Sequence, residues 1–276
     1  MVKIFVLIKQ VPETHDLELN RVTGTIIREG IENVINHDDL YALELGLSLK
    51  ERYGGEVTAM TMAPPQAESA LRECLAMGVD HAILLTDPVF AYSDTLQTTL
   101  VLKEAFEKIK DYDIIITGTK TSDSSTGQVP YQISEALDIP LITDIFSLEL
   151  DIKRKILTCH RNFGHESQNI EVEFPVLLRI NRYFNKPRHV SLSGIKKAYS
   201  KEIEILDYGC LNSPECIDGR SKSPTRVIDT EKPEKMVRKK VIIEGTTATK
   251  IKKIIEIITE HGIERIWTGS SSKRDE

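Results

Sequence analysis

The chain has 276 residues, 40% hydrophobic and 28% charged, with one Trp, the composition of a globular protein with one large core or one domain and a long appendage. No apolar run approaches the roughly 20 residues that span a bilayer. The apolar start at 2–8 is too short and lacks the cleavage site of a signal peptide, and Cys74, Cys159, Cys210 and Cys216 have no CxxC spacing, so a reduced cytoplasmic setting is expected, with neither a zinc site nor a disulfide framework. Of the formal net charge of -6, residues 1–219 carry 22 basic against 33 acidic groups and residues 220–276 carry 14 against 9, which argues against a nucleic-acid binder and leaves a basic tail for an acidic partner or for solvent.

Short, nearly continuous apolar runs at 2–8, 56–62, 81–86, 112–117 and 175–180 read as strands covered on both faces. Helical patterns fill the gaps at 39–52, 66–77, 93–109 and 125–137. This alternation predicts an α/β fold, an open parallel sheet with helices on both faces. Residues 147–173 form two alternating charged segments around Asn162-Phe163-Gly164, which predicts a β-hairpin. A loop and a short basic helix follow over 182–201. From Gly209 to Lys240 the chain turns polar and loses periodicity, an extended arm, before a short strand at 241–244 and a helix at 248–261 striped by Ile251, Ile254, Ile255 and Ile258. The expected division is an α/β domain over 1–208 and a C-terminal arm with its helix over 209–276, the helix docking on a partner chain.

Ligands of open parallel sheets bind outside the carboxyl ends of the strands, near a topological switch point. The loop Gly118-Thr119-Lys120-Thr121-Ser122-Asp123-Ser124-Ser125-Thr126-Gly127-Gln128 carries the strongest chemical signal there. A glycine after a buried strand and a run of hydroxyl residues leading into a helix supply N–H groups and a dipole suited to phosphate. It is neither GxGxxG nor a Walker loop, and simple capping of the helix explains the hydroxyls about as well. His37 with Asp38 and Asp39 reads as a helix start rather than a metal site, and Cys74 as packing. No acid–base or nucleophile constellation can be assembled, which leaves the chemistry to a cofactor.

Taken together, these segments resemble the beta subunit of electron transfer flavoproteins over nearly the whole chain. The matching blocks are Ile8-Lys9-Gln10-Val11-Pro12-Glu13-Thr14, Gly30 with Ile35-Asn36-His37-Asp38-Asp39, Met62-Ala63-Pro64-Pro65-Gln66-Ala67-Glu68 and Ala76-Met77-Gly78-Val79-Asp80. The Gly118 to Val129 loop, Lys186-Pro187-Arg188 with Leu192, and Lys222-Ser223-Pro224-Thr225 complete the set. The resemblance implies a Rossmann-like domain paired with an alpha subunit that carries an FAD and is wrapped by the beta C-terminal arm. In simple carriers of the family the beta site holds AMP; in the electron-bifurcating branch it holds a second FAD reduced by NADH. Phe90-Ala91-Tyr92-Ser93-Asp94-Thr95 looks like the Phe-Ala-x-x-Asp-Thr of the bifurcating branch. Thr126, Gln128 and Val129 match its phosphate loop, whereas Ser124, Ser125 and Pro130 replace the usual Gly, Asp and Gly.

By family position, Leu7, Lys9, Asn36, Asp39 and Met62 line the adenosine side. Gly118, Thr121, Asp123, Thr126, Gln128 and Val129 hold phosphates, and Asp94 and Thr95 face the flavin. Arg188 and Leu192 mark the docking loop for an acyl-CoA-type or related dehydrogenase, with Leu192 as the apolar anchor. Ferredoxin or flavodoxin is the implied low-potential acceptor. Two alternatives stay open: a non-bifurcating carrier holding structural AMP, and a stand-alone adenine-nucleotide binder, though the chain lacks the Ser-Gly-Gly-x-Asp-Ser loop of the ATP-pyrophosphatases.

Overall fold

The computed structural model describes residues 1–13, 32–164, 166–212, 214–228 and 241–260. Thr14 and Gly30 of the family blocks, His165 beside the hairpin turn, residues 229–240 of the arm and residue 261 of the last helix lie outside them. In chain order the elements begin with β1 (Lys3–Leu7), β2 (Gln10–Pro12), β3 (Asn33–Ile35), α1 (His37–Tyr53), β4 (Glu56–Met62), α2 (Glu68–Met77), β5 (His81–Leu85) and α3 (Thr95–Ile109). They continue with β6 (Ile114–Thr117), α4 (Val129–Leu137), β7 (Leu141–Thr143), β8 (Ile145–Asp151), β9 (Ile156–Phe163), β10 (Glu166–Glu173) and β11 (Val176–Arg179). The last are α5 (Leu192–Ala198), β12 (Glu204–Leu206) and α6 (Thr247–Glu260). No helix among the described residues is long and apolar enough to cross a membrane.

The main sheet has seven strands in the order β12-β5-β4-β1-β6-β11-β7, every neighbouring pair parallel. Its apolar runs divide between two cores by strict alternation, as the pleat requires. Ile4, Val6 and Ile8 face one core with Leu43, Leu47 and Leu71 of α1 and α2. Phe5 and Leu7 face the other with Val101, Phe106 and Ile133 of α3 and α4. Helix α1 lies close on β1 because Gly46 stands at the crossing, where a Cβ would be 3.0 Å from Val6. The edge strands β7 and β12 are only three residues each, and their short runs leave no periodic signal in the sequence.

The expected hairpin gains a strand. Asp151 Oδ1 accepts from the N–H groups of Lys153 and Arg154 at 3.1 and 3.0 Å, and Lys155 takes a left-handed φ of 54°, so the first charged segment folds back on itself. The result is an antiparallel sheet in the order β10-β9-β8, whose Leu148, Leu150, Leu157 and Cys159 join the core under α1 and α2. Residues 241–244, expected as a strand, form none; no strand of the described residues pairs with them.

The chain divides into two compact units, Met1–Thr230 and Glu231–Glu276. Residues past 208 therefore belong to the α/β unit for a further stretch, with Leu211 and Ile217 buried in the α3–α4 core. The second unit contains α6, none of whose residues is buried.

Phe106 is fully buried and meets Phe5 and Tyr112 edge-to-face at centroid distances of 5.5 and 5.0 Å. Replacing it with Ala leaves a cavity between α3 and the sheet, and urea denaturation is expected to register a loss of about 3–5 kcal/mol.

Candidate functional site

From β1 the chain passes through α1 to β4 and through α2 to β5, then returns through α3 to β6 on the other side of β1. The switch point is therefore the gap between the carboxyl ends of β1 and β6. The strand pair β2–β3, with Val11 opposite Val34, brings Asn36 back beside Lys9, whose carbonyl accepts from the Asn36 N–H at 2.8 Å. Asn36 then clasps the loop after β6: its Nδ2 donates to the Lys120 carbonyl at 2.9 Å and its Oδ1 accepts from the Ser122 N–H at 3.2 Å.

Gly118 is the closest point of this junction. A Cβ there would lie 2.3 Å from Asp39 Oδ1 and 2.8 Å from the Asp38 carbonyl carbon, so only glycine lets β6 exit against the first turn of α1. Asp39 is buried, and its Oδ2 accepts from the Lys9 N–H at 2.8 Å. Burial pushes its carboxyl up to about 7, against the stabilising bonds from Asn36 and Lys9. Lys9 Nζ pairs with Asp123 Oδ2 at 2.6 Å across the mouth of the junction. Partial burial works against ionisation of Asp123, but the Lys9 ammonium outweighs it and holds the carboxyl below its ordinary value.

The rest of the loop is a tight turn. Thr121 O accepts from the N–H and the hydroxyl of Ser125, both at 2.9 Å, and Ser125 has a φ of 54°. Thr121 and Ser124 hydroxyls lie 3.0 Å apart, and Thr126 is exposed at the crown. Gln128 precedes α4, and its Oε1 accepts from the Thr95 hydroxyl at 3.1 Å, joining the loop after β6 to the first residue of α3. Val129 packs at the edge of the α3–α4 core. Leu7 and Met62, at the ends of β1 and β4, face that same core. By alternation from Ile115, Thr117 faces it too. The hydroxyls of Thr117 and Thr61, at the ends of β6 and β4, are buried without a hydrogen-bond partner among the described residues. Buried hydroxyls are normally satisfied, so these are open to a ligand atom.

Thus the structure brings together Leu7, Lys9, Asn36, Asp39, Gly118, Thr121 and Asp123 around one junction, with Met62, Thr95, Gln128 and Val129 on its α3–α4 side. Asp94 is differently engaged. Its Oδ1 caps α3 on the Gln97 N–H at 3.0 Å, and its Oδ2 accepts from the N–H and hydroxyl of Thr225 at 2.9 and 2.8 Å. Burial alone would raise its carboxyl; the donors from Gln97 and Thr225 win and hold it low. Gln97, Ser223 and Thr225 are the residues that sequence reasoning left without a role. The Lys222–Thr225 block stood out by resemblance alone, and a single glutamine in a helix carries no signal.

Arg188 is spent internally. Its Nε and Nη2 meet Glu44 at 2.8 and 2.9 Å, and its Nη1 meets Glu51 at 2.6 Å, which fixes the loop before α5 onto α1. Leu192, the first residue of α5 after the capping Ser191, is 88% exposed. Hollows of about 460 Å³, beside Phe106 and Tyr112, and about 530 Å³, beside Phe146, Phe163 and Tyr183, lie away from the β1–β6 junction.

An open parallel α/β sheet with its loops gathered at the switch point is the frame of a nucleotide-type site. Residues 23–208 match the model of the electron transfer flavoprotein domain. The chain is 45% identical over 231 residues to the electron transfer flavoprotein subunit beta of Thermoanaerobacterium thermosaccharolyticum, covering 83% of this chain and 88% of that one. It is 40% identical over 233 residues to subunit CarD of the caffeyl-CoA reductase-Etf complex of Acetobacterium woodii, covering 84% and 88%. It is 35% identical over 262 residues to the acryloyl-CoA reductase electron transfer subunit gamma of Anaerotignum propionicum, covering 92% and 97%. The chain belongs to the electron transfer flavoprotein family, among its beta subunits.

Asp39 sets a pH dependence of stability. Between its ordinary value of 3.8 and about 7 the unfolded chain loses the proton while the folded chain keeps it. This contribution to stability is complete at low pH and is lost as pH rises through that window. Urea midpoints at about pH 4.5 and 7.5 are expected to show a more favourable change with rising pH for Asp39→Asn than for the unmodified chain, because the substitution removes this one opposing term.

Proposed function

We propose that this chain is the beta subunit of a heterodimeric electron transfer flavoprotein whose β1–β6 junction holds an FAD by its adenylate and phosphates. The observation that carries this reading is the hydroxyl-rich turn from Thr121 to Gln128, set beside the unpaired Thr117 hydroxyl and joined through Gln128 to Thr95. Neutral donors and a helix start at a switch point are what a pyrophosphate needs. Lys9, its side chain 43% exposed, would supply a cation by exchanging the Asp123 carboxylate for a phosphate oxygen. Asn36 and the Asp39-braced backbone form the adenosine wall, with Leu7 and Met62 as its apolar floor.

FAD, when bound, supplies the two-electron and one-electron chemistry. The chain's part is to orient the cofactor and exclude water with the loops after β5 and β6. On this reading NADH is the donor, and electrons pass to an alpha-subunit FAD and an acyl-CoA-type or related dehydrogenase, with ferredoxin or flavodoxin as the low-potential acceptor, in the cytoplasm. The names of the caffeyl-CoA and acryloyl-CoA reductase relatives support a partner of the acyl-CoA class. Exposed Leu192, at the start of α5 just after the loop that Arg188 locks to α1, supports a docking anchor for that dehydrogenase. The isoleucine stripe of α6 supports docking of the C-terminal segment on the alpha subunit.

Denaturing release of nucleotide from the purified heterodimer tests the reading: two FAD per heterodimer are expected, whereas one FAD with one AMP makes the chain a carrier subunit with a structural nucleotide. Thr126→Glu places a carboxylate in the phosphate turn, and the variant heterodimer is expected to lose the beta-site nucleotide. Unchanged nucleotide content in that variant refutes the placement of the phosphates.

A further inference from the structure

Residues 218–225 return from far along the chain and lie across the turn between β5 and α3, the segment Phe90 to Thr95. Gly219 N–H donates to the Val89 carbonyl at 2.9 Å. A Cβ on Gly219 would lie 2.4 Å from the Ala91 carbonyl oxygen and 2.7 Å from Ser93 N, so the two backbones touch as only glycine allows. Gln97, buried at the start of α3, clamps both ends of the returning turn: its Oε1 accepts from Asp218 N–H at 3.0 Å and its Nε2 donates to the Lys222 carbonyl at 3.3 Å. Ser223, 5% exposed, accepts from Asp94 N–H at 3.0 Å and donates to the Gly219 carbonyl at 2.6 Å. Thr225 closes the strap with two bonds to Asp94 Oδ2.

The turn beneath needs such a hold. Tyr92 has a φ of 67°, a conformation costly for a residue with a Cβ, and the residue is 69% exposed, with the Arg220 guanidinium 4.9 Å from the centre of its ring. Strained backbone of this kind persists only when its surroundings over-determine it. The same turn ends at Thr95, whose hydroxyl bonds Gln128 in the loop after β6. The path from Thr225 therefore runs by hydrogen bond to Asp94, by the peptide bond to Thr95, the first residue of α3, and by hydrogen bond on to Gln128 at the end of the hydroxyl-rich turn.

We propose that Gly219, Ser223 and Thr225 are positioning residues of the nucleotide site, acting through Asp94 and the Thr95–Gln128 bridge to set the wall that the cofactor meets. This deepens the function proposed above and rests on it. The residues touch no ligand themselves; they fix the turn that does. Because the strap leads directly into the C-terminal segment, anything that pulls residues 218–225 off α3 loosens the cofactor wall, and a bound cofactor tightens the strap by the same coupling.

The test uses the heterodimer of the full-length chain with Thr225→Val, Thr225→Ser and Ser223→Ala. Beta-site nucleotide retained during dialysis is quantified as released FAD and AMP, and visible circular dichroism reports the setting of bound flavin. Loss of one bond to the Asp94 carboxylate is expected to speed nucleotide loss about tenfold in Thr225→Val. Ser223→Ala is expected to act in the same direction, and Thr225→Ser, which keeps the hydroxyl, is expected to match the unmodified protein. Thr225 is exposed, so this pair decides the matter even if Ser223→Ala yields little folded protein. Wild-type retention and dichroism in Thr225→Val, or failure of Thr225→Ser to restore them, overturns the inference while leaving the proposed function intact. An unmodified heterodimer with no nucleotide in the beta site overturns the proposed function itself, and the inference with it.

Discussion

The site depends on one steric contact, the seat of Gly118 against the first turn of α1. Strand β6 leaves the sheet directly into the space occupied by Asp38 and Asp39, at a distance no side chain survives. That approach draws the loop after β6 under Asn36, which takes hold of it at Lys120 and Ser122. It also seals Asp39 from water, and burial then raises the energy of its charged form. The carboxylate bonds the Lys9 N–H, so the end of β1 is held by the same few atoms. Three loops from distant parts of the chain are thereby fixed to one another before any ligand enters.

The loop after β5 is braced at its start, where Asp87 caps a single turn and Phe90 is buried in the α3–α4 core. Its strained turn at Tyr92 is held from outside, by a segment more than a hundred residues away in sequence. The two halves of the site thus differ in kind. The Lys9–Asn36–Gly118 half is built into the sheet and α1, close to the core. The Tyr92–Thr95 half is kept in place by local bonds from Ser93 to the Phe90 carbonyl, by residues 218–225 lying across it and by the side-chain bridge to Gln128. Stability within a fold is uneven in this way, and the elements with few buried apolar contacts are those that open first.

Much of the frame was legible because the physics is local. Each buried strand announces itself as a short apolar run, and the cores on its two faces follow from alternation, as with Ile4 and Phe5. The family blocks located the loops around Gly118 and Thr95. What escaped is non-local. The split of the first hairpin segment depends on Asp151 capping its own turn, a contact that a charged, alternating stretch does not advertise. The edge strands β7 and β12 exist because their neighbours in the sheet offer open edges, whereas 241–244, read as a strand from its own residues, pairs with no strand among the described residues. The bonds of Arg188 to Glu44 and Glu51 likewise join positions more than 130 residues apart, which family position does not reveal.

The chemistry of the loop has a consequence for how an anion is held in a body that carries an excess of acid. Before residue 220 the chain has 33 acidic against 22 basic residues, so long-range steering does not favour a phosphate. Lys9 is a cation at the junction mouth, and it is already paired with Asp123. On the proposed reading, binding therefore swaps one ion pair for another, a near-even exchange in which neither charge is left buried and alone. On that reading the neutral donors add to what this pair gives: the hydroxyls of Thr121, Ser124 and Thr126, the unpaired hydroxyl of Thr117, and the N–H groups at the start of α4. Ser124 and Ser125, which by resemblance stand where the family usually has Gly and Asp, fit that requirement. Ser124 gives up some freedom of backbone approach, and both supply donors that need no counter-ion; such short-range bonds depend on geometry more than on ionic strength. Retention of the cofactor then becomes a matter of how accurately the turns around Thr95 and Gln128 are set, which is why their support from across the chain bears directly on binding.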